Sequence, residues 1–538
     1  MNKPDQISPR EDAAEVSRTA IPTQWWKAAV ILMALALVLA LERWHTYSQV
    51  VHNDIGQFAV VAHEVLHGRK LYVEVFDVVP PGIFITYGLA ELVTGYGPQE
   101  IYLLNVVAGV VILLGVFAAA RRAGGGVSGG LWAAAFWTVI SGDPRLMGNL
   151  PGREVFINAC LIWSFVLLFH VTPKRLLSWP ILGIGLLWAA ASLYKQSAVA
   201  AVAALAIGYV LVATPGADRR YALWHMGVCA GVGALVWAGV FTYFCVVGRF
   251  GAFWEAVFVA LRESQGNTLA NVLEKLEPSN LVPDFLFFMA PLACLSVAGV
   301  MCAFRTGLRP SAGMISAFCA GAAVFVAVHF GFAPYRWQLW LPVLSVSGGW
   351  SLATLAGSVP SRFVRPVYAT GVAILLLLVR YEGAFYRLPP DEWTRLAVGD
   401  GYASAFTTVP ELVQEINTLL LPDETFCQLA NEPQLYFYSG RRSPTKFTVF
   451  WAASDSKYST QPRFAKELVA DFDRERPELV VITVWSITGG DIRKEPMRSI
   501  LANYRPLPGN PQRGPYVLLC LKGGKLEKRL SNLTAPTQ

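Results

Sequence analysis

The stretch HNDIGQFAVVAHEVLHGRKLYVEVFDVVPPG, residues 52–82, supports two readings that lead to different proteins. His63, Glu64 and His67 match the His-Glu-x-x-His pattern of zinc proteases. There, two histidines one helical turn apart hold the ion and the intervening Glu serves as general base. The same residues also form a short amphipathic helix between two carboxylates, Asp54 ahead of it and Asp77 just before Pro80-Pro81-Gly82. The surrounding chain decides between them.

That chain is strongly apolar. Of its 538 residues, 54% are apolar or aromatic and only 15% are charged, where a soluble protein carries about a quarter. Apolar runs near 27–44, 100–120, 127–141, 154–171, 177–194, 197–213, 222–247, 281–302, 312–331, 337–356 and 364–380 read as membrane spans. The expected fold class is therefore a multi-pass α-helical membrane protein with about 11 transmembrane helices. The first run follows a polar segment, 1–26, and leads into ERWHTYSQ rather than a small-residue cleavage site, so it reads as an uncleaved helix.

Alternate short loops carry Arg121-Arg122, Lys174-Arg175, Arg219-Arg220, Arg305/Arg309 and Arg362/Arg365. The positive-inside rule puts these in the cytoplasm together with the amino terminus, and sends the carboxy terminus outside. The net charge of +7 thus reports topology rather than nucleic-acid binding.

The outer side then holds a long first loop, 45–100, which contains the opening stretch; a Gly/Pro-rich loop, SGDPRLMGNLPGRE (141–154); and a loop over 248–280 that begins as an amphipathic helix. From 381 to 538 helical patterns alternate with short β-rich runs: VPELVQEINTLL, TFCQLA, RFAKELVADFDRE, ELVVITVW and YVLLCLK. This is the pattern of a small external α/β domain, and the last dozen residues read as a frayed end. Of the eight cysteines most fall inside expected helices. Cys427 and Cys520 lie in the tail, either as a disulfide in an oxidising compartment or as buried thiols.

In this setting the protease reading weakens. A zinc site needs a third protein ligand, and Gly68 directly after His67 breaks the longer form of the pattern. The motif also sits in a charged loop rather than within a span. No zinc is expected there.

The first loop offers Asp54, Gly56, Gly68, Tyr72, Phe76-Asp77 and Pro80-Pro81-Gly82. It resembles the first external loop of GT-C glycosyltransferases that use polyprenyl-phosphate sugars, in the bacterial branch of protein mannosyltransferases and the lipid A aminoarabinose transferase. That pattern is approximately Asp-x-Gly-x-Tyr, a helix, Gly-x-x-x-Tyr, then Trp-Asp-x-Lys-Pro-Pro-Gly. This chain departs from it at Phe58 and at Val79, where the family often has Tyr and Lys. GREVFINACLIW with Glu154, ASLYKQSAV with Lys195-Gln196, and FAPYRWQLWLPVLSV with Tyr335 and Pro342 are similar to later family segments, in the same order.

The resemblance implies an inverting glycosyltransferase. Such an enzyme moves a monosaccharide from a polyprenyl-phosphate donor to lipid A or lipopolysaccharide, a surface polysaccharide or a protein, on the periplasmic face of a bacterial inner membrane. The chemistry needs a base for the acceptor hydroxyl and positive charge for the departing phosphate. Asp54, just outside the first span, is the natural base, and the resemblance points to the same residue; its other reading is a helix N-cap. For Asp77 the resemblance suggests a metal-side or phosphate-side role, the metal being Mg²⁺ or Mn²⁺ with His329 as a helper ligand. Lys195 and Arg336, beside Tyr335, are external basic residues at helix ends that either bind phosphate or snorkel toward headgroups. Arg145, Arg153 and Glu154 form a second external cluster. The alternatives are a transporter or flippase of lipid-linked sugars and an O-antigen ligase or polymerase, although helix centres almost free of charge argue against transport.

Overall fold

The structure, a computed structural model, describes residues 22–213, 216–260, 262–263, 283–328, 334–456, 458–488 and 493–534. The membrane module consists of α1 (Pro22–His45), α2 (Asn53–Leu66), α3 (Gly82–Thr94), α4 (Pro98–Ala120), α5 (Gly126–Ile140), α6 (Arg153–Leu168), α7 (Trp179–Tyr194), α8 (Ala198–Val212), α9 (Ala217–Val246), α10 (Phe250–Trp254), α11 (Pro283–Thr306), α12 (Arg309–Ala327), α13 (Trp340–Ser358) and α14 (Ser361–Phe385). Eleven of these helices fall on the eleven expected apolar runs, and α2, α3 and α10 belong to the loops. Among the described residues seven helical runs are long and apolar enough to cross a membrane. Helices α6, α7 and α8 have 16, 16 and 15 residues and are shorter than a full span. Most of the amino-terminal segment, 1–21, and most of the outer loop after α10 lie outside the described residues.

The helices sort their side chains as a bilayer requires. Trp26, Met33, Leu37 and Leu41 of α1 and Leu235 and Val246 of α9 are exposed apolar groups, suited to lipid. Inside, α13 packs against α5 and α11, with small residues such as Ala133, Ala134 and Ser347 buried at the contacts.

Beyond α14 come α15 (Pro390–Val398), α16 (Asp400–Leu419), α17 (Gln434–Ser439) and α18 (Gln461–Glu475), with strands β1 (Phe426–Gln428), β2 (Leu479–Thr483), β3 (Tyr504–Pro506), β4 (Gln512–Arg513) and β5 (Tyr516–Leu521). The sheet order is β1-β2-β5-β3, with β4 pairing on β5. Strands β1 and β2 run parallel, and β2 and β5 antiparallel. The strand between them separates Cys427 on β1 from Cys520 on β5, a distance of about 9.5 Å at ordinary strand spacing. That is too far for a disulfide; both are free, buried thiols. Of the last dozen residues, expected from sequence as a frayed end, 527–534 are instead helical. Lys525–Thr534 form α19, anchored by Arg529, which donates to Glu424 Oε2 at 2.6 Å.

The α/β region is clamped onto the first loop. Phe76 N donates to Lys446 O at 2.9 Å, Val51 N to the Tyr438 hydroxyl at 3.0 Å, and Asn53 Nδ2 to Asn431 O at 2.9 Å. Two glycines of the loop motif follow from this packing. A Cβ at Gly56 would lie 3.1 Å from Gln434 N, where α2 meets α17, and one at Gly82 would lie 2.7 Å from Leu193 O, where α3 begins against α7.

Candidate active site

The site is assembled from four chain segments that meet at the start of α2. Asp54 occupies the first turn of that helix, but it is not the cap. The capping side chain is His52, whose Nδ1 accepts from Asp54 N at 3.3 Å. Burial holds the His52 imidazole below its ordinary pKa, against the pull of the Asp54 charge, which keeps it neutral and able to accept. With the cap supplied by His52, the Asp54 carboxylate forms no hydrogen bond or ion pair among the described residues. It lines a cleft with His52, Phe58, Arg153, Glu154 and Tyr335.

Arg153 and Glu154 open α6 and are carried to the cleft by the Gly/Pro-rich second loop. The carboxylates of Glu154, Asp54 and Asp77 all act electrostatically on the Arg153 guanidinium, which also lies 5.5 Å from the Phe58 ring. Glu154 accepts from Lys195 Nζ at 2.7 Å, with both side chains buried. Lys195, just past the end of α7, is lowered to about 8 by burial, against the opposing charge of Glu154. Its ammonium is thus matched by a partner. Arg336 acts electrostatically on Lys195 and on Tyr335.

Asp77 lies one layer behind. Its Oδ2 accepts from Gln57 Nε2 at 3.2 Å and its Oδ1 from Val79 N at 3.1 Å. Burial pushes its carboxyl up to about 6, while the Gln57 hydrogen bond and the Arg153 charge pull it down. The turn is set by Tyr72, which adopts a left-handed backbone (φ 68°) and donates its hydroxyl to Val79 O at 2.7 Å. Such backbone strain in a non-glycine residue is held only where the surroundings fix it.

Of the residues expected from sequence, Asp54, Arg153, Glu154 and Tyr335 share this cleft, with Lys195, Arg336 and Asp77 bordering it. Arg145 does not join them. It pairs with the buried Asp143 at 2.5 Å and lies 4.5 Å from the Tyr381 ring, because the loop turns back on itself at Pro144. His329 lies outside the described residues. Sequence reasoning missed His52, Gln57 and Gln338. Gln338 donates to Leu146 O at 2.6 Å and accepts through its backbone oxygen from Asn158 Nδ2 at 3.0 Å, fixing the second loop against α6. The Asp54-adjacent position of His52 was the one available signal.

Glu64 does not face the histidines as a protease base would. It lies 3.5 Å from Arg69 and 3.1 Å from Arg442 in ion pairs that tie the loop to the α/β region. A second, wider cleft of about 920 Å³ opens beside Phe76, between that region and α10, bordered by Arg69, Tyr72, Lys446, Arg463 and Asp471.

No family model matches the sequence, and no curated protein matches it. Solved structures do. ArnT from Cupriavidus metallidurans bound to undecaprenyl phosphate is similar over 93% of this chain and 98% of its own, with TM-score 0.62 and 15% identity. The chain has a GT-C fold. The archaeal oligosaccharyltransferase AglB from Archaeoglobus fulgidus, in complex with an inhibitory peptide and a dolichol-phosphate, shares this fold at TM-score 0.53 and 11% identity, over 90% of this chain and 73% of its own. Arabinofuranosyltransferase AftD from Mycobacteria shares it at 0.51 and 13%, over 94% of this chain and 40% of its own. A multi-pass membrane protein is the architecture expected from the sequence, and the region after the last membrane helix holds the small sheet described above.

Proposed function

We propose that this GT-C chain is an inverting glycosyltransferase that moves a monosaccharide from a polyprenyl-phosphate donor to an acceptor hydroxyl, in a single displacement. The observation that carries the reading is the Asp54 carboxylate, bare of hydrogen bonds among the described residues and facing a cleft in which Arg153 supplies positive charge. Asp54 takes the acceptor proton as the oxygen attacks the anomeric carbon. The C–O bond to phosphate breaks on the opposite face, and the departing phosphate is stabilised by Arg153 and Arg336, with Tyr335 beside them. Lys195 holds Glu154, and so the start of α6, in place.

Asp77 would supply the carboxylate of a Mg²⁺ or Mn²⁺ site, and His329, the helper ligand expected from sequence, lies outside the described residues. Both Asp77 oxygens already accept hydrogen bonds. Among the described residues no third His, Asp or Glu completes a ligand set with Asp54 and Asp77. Such ions need several oxygen ligands, more than Asp54 and Asp77 supply by themselves.

In this reading the loops bearing the cleft face the periplasm of a bacterial inner membrane, the amino terminus is cytoplasmic, and residues 381–538 are external. The wider cleft beside Phe76 admits the acceptor, which is lipid A or another lipopolysaccharide component, a surface polysaccharide or a protein. The test is turnover by the purified protein on a panel of polyprenyl-phosphate monosaccharides, read as release of polyprenyl phosphate with envelope extracts as acceptor. One reactive donor supports the proposal and identifies the sugar; a panel with no reactive donor contradicts it.

A further inference from the structure

The fold returns the opening motif in a new form. His63 and His67 stand one turn apart at the end of α2 with ring centroids 4.1 Å apart, and Glu91 of α3 meets them. Glu91 Oε1 lies 2.7 Å from His63 Nδ1 and 4.0 Å from His67 Nδ1. One ligand atom from each of the three lies within 4.8 Å of the others. We propose that His63, His67 and Glu91 form a zinc-class metal site that fastens α2 to α3, separate from the glycosyl-transfer cleft.

Two imidazoles and a carboxylate, with water in the fourth position, are a donor set that Zn²⁺ takes and that Mg²⁺ does not favour. Ligand atoms around a tetrahedral zinc stand about 3.3 Å apart at ordinary bond lengths. The His67 side chain, 60% exposed, closes the short remaining distance by giving up one hydrogen bond, from Nδ1 to His63 O at 2.8 Å. An independent observation also calls for a cation. Glu91 Oε2 is buried with no hydrogen-bond partner among the described residues, and the Glu91 charge acts on the neighbouring Glu100. A buried carboxylate oxygen left without a partner is costly, and a divalent ion held by Glu91 supplies one.

The site is not proteolytic. Glu64 is held by Arg69 and Arg442, and the site sits at the far end of α2 from Asp54, about 14–20 Å along the helix. Its effect is mechanical. The two helices it joins begin at Asn53, next to Asp54, and at Gly82, five residues after Asp77, so fastening their far ends steadies the loop that presents both carboxylates.

The test uses the full-length protein in detergent, stripped of metal and given Zn²⁺ or Mg²⁺ alone, with no donor present. Binding is followed by calorimetry, thermal unfolding and the visible ligand-field bands of Co²⁺. One Zn²⁺ per chain is expected, with a higher unfolding temperature that Mg²⁺ does not reproduce. Affinity should fall at least about tenfold in His67→Ala, an exposed change that leaves the fold intact, and in Glu91→Gln, but not in His170→Ala. Absence of Zn²⁺ binding in the wild type, or binding that survives both substitutions, overturns the proposal. Neither result bears on glycosyl transfer, because no donor is used.

Discussion

Gln57 Nε2 donates to Asp77 Oδ2 at 3.2 Å, and the oxygen of the same amide accepts from Thr448 Oγ1 at 2.7 Å. One side chain thus links the α/β region to a carboxylate bordering the cleft. Gln57→Leu should leave Thr448 and Asp77 each short of a buried partner and lower stability by about 1–3 kcal/mol, measured as thermal unfolding in detergent. Thr448→Val on the same background should cost less than it does alone, since the two residues share one interaction.

The buried Asp77 carboxyl gives a pH test. Its pKa rises from an ordinary 3.8 to about 6, so the folded protein binds this proton more tightly than the unfolded chain does. Stability contributed by the group is therefore greatest below about pH 4 and declines as pH rises through 6. Each pKa unit of separation is worth about 1.4 kcal/mol, so the stability of Asp77→Asn relative to wild type should climb by about 2 kcal/mol between pH 4 and pH 7. Thermal unfolding across that range checks it, and a flat difference would show that Asp77 does not titrate as described.

Lys195 and Glu154 form a buried pair at 2.7 Å. Lys195→Met strands the Glu154 charge and should cost about 3–5 kcal/mol, whereas joining it with Glu154→Leu should recover much of that loss. A double-mutant cycle in unfolding temperature separates the two. Equal losses in the single and double variants would mean that packing, not charge matching, holds this corner.

At Gly82 an added Cβ meets the Leu193 carbonyl at 2.7 Å. Gly82→Ala should push α3 away from α7 and cost about 1–3 kcal/mol, with a matching drop in unfolding temperature. Gly56→Ala, with 3.1 Å to Gln434 N, should cost less and should loosen the α/β region from α2, seen as faster proteolysis between them.

The membrane helices were legible because apolar runs of sufficient length admit few other structures. So were β1, β2 and β5, short apolar runs between helical patterns, and the cleft residues Asp54, Glu154 and Tyr335, which sit at helix ends or turns beside recognisable segments. What could not be read were pairings set by tertiary contact. Gln57 looks like any helix residue until Thr448, 391 positions away, reaches it. Arg145 is charged and external like Arg153, yet Pro144 and Asp143 turn it elsewhere. Cys427 and Cys520 gave no hint that β2 would stand between them. The histidine pair was visible in the sequence, but its carboxylate partner, Glu91, comes from the next helix and follows no spacing rule.

The proposed role of Asp54 as the base of the glycosyl-transfer cleft is tested most directly by one measurement. With the donor that wild-type protein turns over, the rate of polyprenyl-phosphate release is compared with that of Asp54→Asn, alongside donor binding by each. The expected result is a fall in turnover of about 10²–10⁴-fold with donor binding retained. Turnover by Asp54→Asn at the wild-type rate would contradict the account.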